Sequence, residues 1–213
     1  MPSTPQLHVA DSAERDDLGA FVARAVRLDG EALVRLRSGD DRVDAWVVTP
    51  FDTLVTRSAR GTVQPADTTV RGADLLAALA VARGAVVDPG QPHDMWWRAE
   101  LPPRHGWQQV DQVPAELLSD LADRGAAVAR ENAGPHGTPP ASLLDQKVIT
   151  ISGSGFDVGV PLRCLFALSG MGFLGAHEQG ETVRVSATDS WLRLDARFGA
   201  ALRRRHALLP LLV

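Results

Sequence analysis

The chain has 213 residues, with 22 basic side chains against 26 acidic ones and a formal net charge of −4. Apolar residues make up 45% and charged residues 23%, which excludes collagen-like, disordered and disulfide-scaffold classes. Neither half of the chain is basic, so a global electrostatic footprint for nucleic acid is absent.

In chain order, Asp11 or Ser12 can cap a first helix, with Leu18, Phe21, Val22, Ala25 and Val26 as its apolar stripe and Asp29-Gly30 as its stop. Three strand-like runs follow at 31–37, 43–49 and 53–57. The turn at Ser38-Gly39-Asp40-Asp41 and the link Pro50-Phe51-Asp52 favour antiparallel neighbours. Residues 74–83 read as a helix with Leu75, Leu76, Leu79 and Ala80 on one face. The first module, 1–88, is therefore expected to be helix, three-stranded meander, helix.

The Gly- and Pro-rich stretch 84–92 marks the boundary, and 89–213 forms the second module. Pro114 opens a helix whose buried side is expected at Leu117, Leu118, Leu121, Gly125 and Val128. Residues 133–141 read as a surface loop, and 147–153, with Val148, Ile149 and Ile151, as a strand. A helix is expected over 161–171, a hairpin over 183–195, and a basic helix end at Arg203-Arg204-Arg205 before an apolar tail. The octets starting at Val70 and Val160 echo each other at strand-to-helix junctions. The predicted class is α+β: two small modules, each a mainly antiparallel sheet with helices on one side.

The stretch 92–107 holds three of the five tryptophans, two histidines and two arginines. With 95–101 as a strand, Trp96 and Trp97 would face opposite sides. One reading is an aromatic pocket for an anionic small molecule, lined by Trp96, Trp97 and Trp107, with Arg98, Arg104 or His93 as polar groups. The preferred reading is a packing seam filled by tryptophan, in which arginine pairs with nearby acids. His93, Asp94, Glu100 and His105 match no metal-ligand spacing, so no metal is expected, and no fingerprint implies a cofactor.

The remaining candidates have plain readings. Ser152-Gly153-Ser154-Gly155 lacks a following Gly-Lys-Ser/Thr and reads as a turn. Cys164 reads as a small core residue, and no local Ser-His-Asp or Cys-His set exists. Arg203, Arg204 and Arg205, with Arg197, could touch an acidic partner. Leu208, Leu209, Leu211 and Leu212 could pack internally or form a dimer surface. The single cysteine, the missing signal-peptide pattern and the absence of an apolar run of about 20 residues predict a cytoplasmic protein.

At VPLRCLFALSGMGFLG (160–175), VSATDSWLRLDARFG (185–199) and LPPRHGWQQVDQVPAELL (101–118), the chain resembles an uncharacterised group of actinobacterial hypothetical proteins. The resemblance implies a high-GC lineage, which fits Lys147 as the only lysine, and it carries over no catalytic residues. The expected role is non-enzymatic, through self-association as a homodimer or through a protein partner, without membrane contact. Small-ligand binding or catalysis at the tryptophan stretch is the alternative, and a nucleic-acid-associated regulator is a weaker one.

Overall fold

A computed structural model describes residues 4–132, 139–175 and 180–205. The chain divides into two compact units, Met1–Glu100 with Gly170–Gly172, and Leu101–Ser169 with Phe173–Val213. The division follows Glu100 rather than the Gly- and Pro-rich stretch before it, so residues 92–100 belong to the first unit.

Strand β1 (Gln6–His8) leads into α1 (Ser12–Leu28). Of the two capping candidates the structure uses Asp11, whose carboxylate accepts from the Ala13 N–H at 2.8 Å. Leu18, Phe21, Val22 and Ala25 form its buried stripe. Asp29 ends the helix: its N–H donates to the Ala25 carbonyl at 2.9 Å, and its carboxylate accepts from the Glu31 N–H at 3.0 Å.

The meander is present as β2 (Leu33–Ser38), β3 (Arg42–Thr49) and β4 (Thr53–Arg60). It is not the whole sheet. After β5 (Thr62–Gln64), strand β6 (Asp67–Arg71) returns to pair with β2, giving the antiparallel order β6-β2-β3-β4 in this unit. Helix α2 (Gly72–Val81) follows β6 directly, and β7 (Val86–Val87) completes a small sheet in the order β5-β1-β7. These short strands carry too few residues to show a period in sequence.

Gly72 seats α2 on the sheet. A Cβ there would stand 3.0 Å from the Ala32 carbonyl oxygen and 3.0 Å from Val26 of α1. Leu75 and Leu79 are buried, while Ala80 is exposed and Leu76 is half-buried. On the sheet surface away from the alternating core of Val34, Leu36, Val43 and Ala45, the register aligns Thr69, Arg35, Trp46 and Thr56 across four strands.

The second unit runs β8 (Gln108–Pro114), α3 (Ala115–Glu131), the short α4 (Ala141–Leu144), β9 (Lys147–Gly153), β10 (Phe156–Pro161) and α5 (Leu162–Gly170). It ends with β11 (Thr182–Ala187), β12 (Trp191–Ala196) and β13 (Gly199–Arg204). Strands β8, β11, β12 and β13 pair antiparallel in the order β13-β12-β11-β8, and β9 pairs with β10. The Ser154-Gly155 turn between β9 and β10 has positive φ at both residues, 50° and 79°, as a two-residue hairpin requires. The two echoing octets both lie where a strand runs straight into a helix, at β6–α2 and at β10–α5.

Helix α3 buries Leu118 and packs Gly125 as expected, but the rest of its inward face is shifted. Ala115, Leu118, Ala122 and Ala129 are buried, whereas Leu117 and Val128 are 38% and 43% exposed. The reason is close approach. Ala129 packs with Leu143 and Leu162, and a Cβ on Gly125 would come 2.3 Å from a Leu162 methyl, so this face needs small residues. Helix propensity alone would make Gly125→Ala stabilising by up to about 1 kcal/mol. We expect the opposite, a loss of about 1–3 kcal/mol from overpacking, read as a lower Tm. A higher Tm would show that Leu162 can turn away.

The arginine run is also corrected. Arg203 and Arg204 end strand β13, pairing with Leu192 and Trp191, and are not on a helix. Residues 133–138 of the expected loop, His136, His177, His206 and the tail with Leu208, Leu209, Leu211 and Leu212 lie outside the described residues, and the last residue of that loop, Ala141, opens α4. The architecture is α+β in two units, with mainly antiparallel sheets and packed helices. Among the described residues no helix is long and apolar enough to cross a membrane.

Candidate functional site

The stretch before the unit division does not form the expected strand. Asp94–Trp96 is a single 3-10 turn, tied to the edge of β6. The Thr69 N–H donates to the Asp94 carboxylate at 2.5 Å, and the His93 N–H donates to the Thr69 carbonyl at 2.6 Å. These two bonds occupy the ladder groups of Thr69, so the stretch continues the β6 edge without lengthening the sheet.

The turn separates the paired tryptophans by a different geometry from strand alternation. Trp97 is half-buried: its Nε1–H donates to the Ala99 carbonyl at 2.6 Å, and its ring centroid lies 5.8 Å from the Arg35 guanidinium. Arg35 is held in turn by Asp67, which accepts from Nε at 2.7 Å and from Nη2 at 2.8 Å. The hydrogen bonds that Arg35 donates to Asp67 raise its pKa above the ordinary value. Trp96 is left 68% exposed, and Met95 beside it 83% exposed.

Trp96 forms a wall of two cavities in the first unit. The larger, about 500 Å³, lies between Trp96–Ala99, the start of β2 and the β3–β4 turn. Its apolar lining includes Leu33, Val48 and Pro50; its charged lining is Asp29, Glu31 and Asp52 against Arg98. The second, about 440 Å³, is lined by Glu31, Leu33, Arg71, His93 and Trp96. Asp52 reaches the first rim because the three-residue turn Pro50-Phe51-Asp52 closes with φ +53° at that residue.

The structure thus brings together His93, Trp96, Trp97 and Arg98 of the expected site. Arg104 and Trp107 belong to the second unit and are not among the groove's lining residues. There the Trp107 Nε1–H donates to the Pro103 carbonyl at 2.9 Å, and the ring lies 5.8 Å from the Arg193 guanidinium. Asp29, Glu31 and Asp52 went unread as rim residues, since a helix stop and a turn explain Asp29 and Asp52 locally.

The arginine run of the second unit is engaged within that unit. Arg203 reaches Asp145 at 3.6 Å, and Arg204 lies 5.2 Å from the Trp191 ring. Arg205 donates to the Thr188 and Asp157 carbonyls at 2.9 and 3.0 Å. Arg197 lies 5.3 Å from the Phe198 ring. Cys164 is 1% exposed, a core position. Among the described residues, no three His, Cys, Asp or Glu side chains gather as a metal-binding group.

The fold has known counterparts. The chain is similar to a DNA polymerase sliding clamp from Bacillus subtilis, at 12% identity and a TM-score of 0.60, covering 96% of this chain and 65% of that one. It is similar to the Caulobacter crescentus pol III beta structure, at 12% identity and a TM-score of 0.58, covering 96% and 67%. A DNA polymerase III beta subunit from Thermotoga maritima matches at 11% identity and a TM-score of 0.56, covering 97% and 66%. The chain therefore spans about two thirds of the length of these relatives, and at such identities the likeness establishes a sliding-clamp fold. Residues 2–99 match the Domain of unknown function (DUF8010), and residues 102–208 match the Domain of unknown function (DUF8185). No curated protein matches the sequence.

Proposed function

We propose, from a chain that belongs to the DUF8185 family and has the sliding-clamp fold, that it acts by binding a protein partner and not by catalysis. The observation that carries this reading is Trp96: a large aromatic side chain, 68% exposed, standing between two concavities of ligand-binding size. Tryptophan anchors are common at the energetic centre of protein interfaces. Met95 beside it supplies an adaptable apolar contact.

The rim charges define the partner. Three carboxylates against one guanidinium line the larger cavity, which disfavours the anionic small ligand considered from the tryptophans alone. The reading is an extended segment that places an apolar side chain against Trp96 and a Lys or Arg near Asp29, Glu31 or Asp52. A cytoplasmic setting belongs to the same proposal, supported by the lone buried Cys164.

The test is a fluorescence titration with synthetic heptapeptides carrying a Leu or Phe anchor flanked by Arg, Ala or Glu. Arg-flanked peptides should bind at least about tenfold more tightly than Glu-flanked ones, a gap of about 1.4 kcal/mol. Equal affinities, or no binding by any peptide, would remove the proposal. Concentration-dependent dimerisation in light scattering that Arg-flanked peptides dissolve would identify the partner as a second copy.

DNA contact is the second reading, favoured by the likeness to DNA polymerase sliding clamps. Charge stands against it. Helix α3 carries Glu116, Asp120, Asp123 and Glu131 against Arg124 and Arg130, and α1 carries Glu14, Asp16 and Asp17 against Arg15, Arg24 and Arg27. Neither helix offers a basic stripe. Retention of duplex DNA at low salt, lost steeply as salt rises, would restore this reading.

A further inference from the structure

Cations crowd one end of the second unit. Lys147 of β9, Arg203 and Arg204 of β13, and Arg205 just beyond it line a cleft of about 190 Å³, together with Asp145 and Asp157. The carboxylate of Asp145 is already matched: it accepts from the buried Arg163 at 2.6 and 2.8 Å. The lining holds four cations against two carboxylates, and the buried Arg163 behind Asp145 offsets one of those carboxylates, in a chain whose net charge is −4. A concave site of one sign focuses its field and concentrates counter-charge.

Two features position these cations. The Arg204 and Arg205 guanidinia lie 5.2 Å from the rings of Trp191 and Phe156. The Lys147 stem runs along the neighbouring strand. A Cβ on Gly159 would stand 2.4 Å from its Cδ and 2.9 Å from its Cγ, so the stem lies against bare backbone of the neighbouring strand. Lys147 is also the only lysine among 22 basic residues, in a chain that otherwise uses arginine throughout. An ammonium is a compact point charge that can approach one phosphoryl oxygen, whereas guanidinia bind two at once.

We infer that this cleft binds a pyrophosphate-sized anion, with Lys147 as the point-charge contact and the internally braced arginines as the surrounding positive field. A volume of about 190 Å³ is below the usual range for whole drug-sized ligands, which points to a diphosphate group as the part bound inside.

The lone lysine makes the test clean. Acetylation of Lys147 by an N-hydroxysuccinimide ester is followed by peptide mass spectrometry, with inorganic pyrophosphate, ATP, a 12-nucleotide single strand, or sodium chloride at matched ionic strength. Pyrophosphate should slow the reaction at least fivefold; ATP protection as well would place the source among nucleoside polyphosphates and keep the assignment. Equal protection by chloride, no protection by pyrophosphate, or protection by the oligonucleotide alone would overturn it. By calorimetry, Gly159→Ala should weaken pyrophosphate binding about tenfold, because it displaces the Lys147 stem without removing a charge. Lys147→Gln should weaken it at least as much. Unchanged affinity in both variants, with melting curves like the parent's, would also overturn the assignment.

Discussion

Trp96→Ala lowers affinity for an Arg-flanked apolar heptapeptide by about 30- to 1,000-fold, the range for an aromatic anchor worth about 2–4 kcal/mol. It leaves Tm close to that of the parent chain, because a side chain 68% exposed contributes little to folding, within about 0.5 kcal/mol. Trp97→Ala separates binding from folding. Trp97 is half-buried, donates to Ala99 and covers the Arg35 cation, so its loss lowers Tm as well as affinity. Thermal melts and peptide titrations on both variants check this. A Tm drop for Trp96→Ala equal to that for Trp97→Ala would make Trp96 a structural residue, and undiminished affinity would exclude it as the anchor.

The parts of the fold that could be read early are those whose local signals agree. Helix α1 has a cap, a stripe and a stop within one stretch, and β9 has four β-branched residues in a row. The hairpin of β11 and β12 is bounded by Thr188-Asp189-Ser190, where the Thr188 hydroxyl accepts from the Ser190 and Trp191 N–H groups. Strands β8 and β13 were hidden because their sequences, QQVDQVP and GAALRR, show little β propensity; pairing with β11 and β12 makes them strands. In α3, leucine drew attention to Leu117 and Leu121, while packing selected Ala115, Ala122 and Ala129 for their size.

The candidate site was half legible for a similar reason. Three tryptophans within residues 92–107 are conspicuous in a chain without tyrosine. Their proximity in sequence does not make one site, because the division after Glu100 sends Trp107 to the other unit. The carboxylates that set the groove's sign come from elsewhere: Asp29 and Glu31 from the α1–β2 link, Asp52 from the β3–β4 turn. Each has a sufficient local explanation, and only the tertiary path of the chain brings them to Trp96. Arg98 and Arg104 in the tryptophan stretch point to an anion; the acids that topology places beside Trp96 reverse that sign.

Gly61→Ala should cost at least about 3 kcal/mol, combining backbone strain with a main-chain collision. Gly61 joins β4 to β5 at φ +154°, and a Cβ there would lie 2.0 Å from the His8 carbonyl oxygen. That oxygen is main chain and cannot rotate aside as a side chain could. Gly61 is also tied on its other side, where its N–H donates to the Asp41 carbonyl at 2.9 Å. Relief therefore requires β1 to separate from β5, although His8 pairs with Thr62 and Leu7 with Val63. Leu7, Val9 and Val63 are all at 0% exposure, so separation would also uncover apolar side chains. Gly30→Ala is the matched control, since a Cβ at Gly30 meets nothing within 4 Å. In urea unfolding the Gly30 variant should stay within about 0.5 kcal/mol of the parent while the Gly61 variant loses several times that. Equal midpoints for the two would mean that β1 can shift at little cost and that the β5-β1-β7 sheet does not set the stability of the first unit.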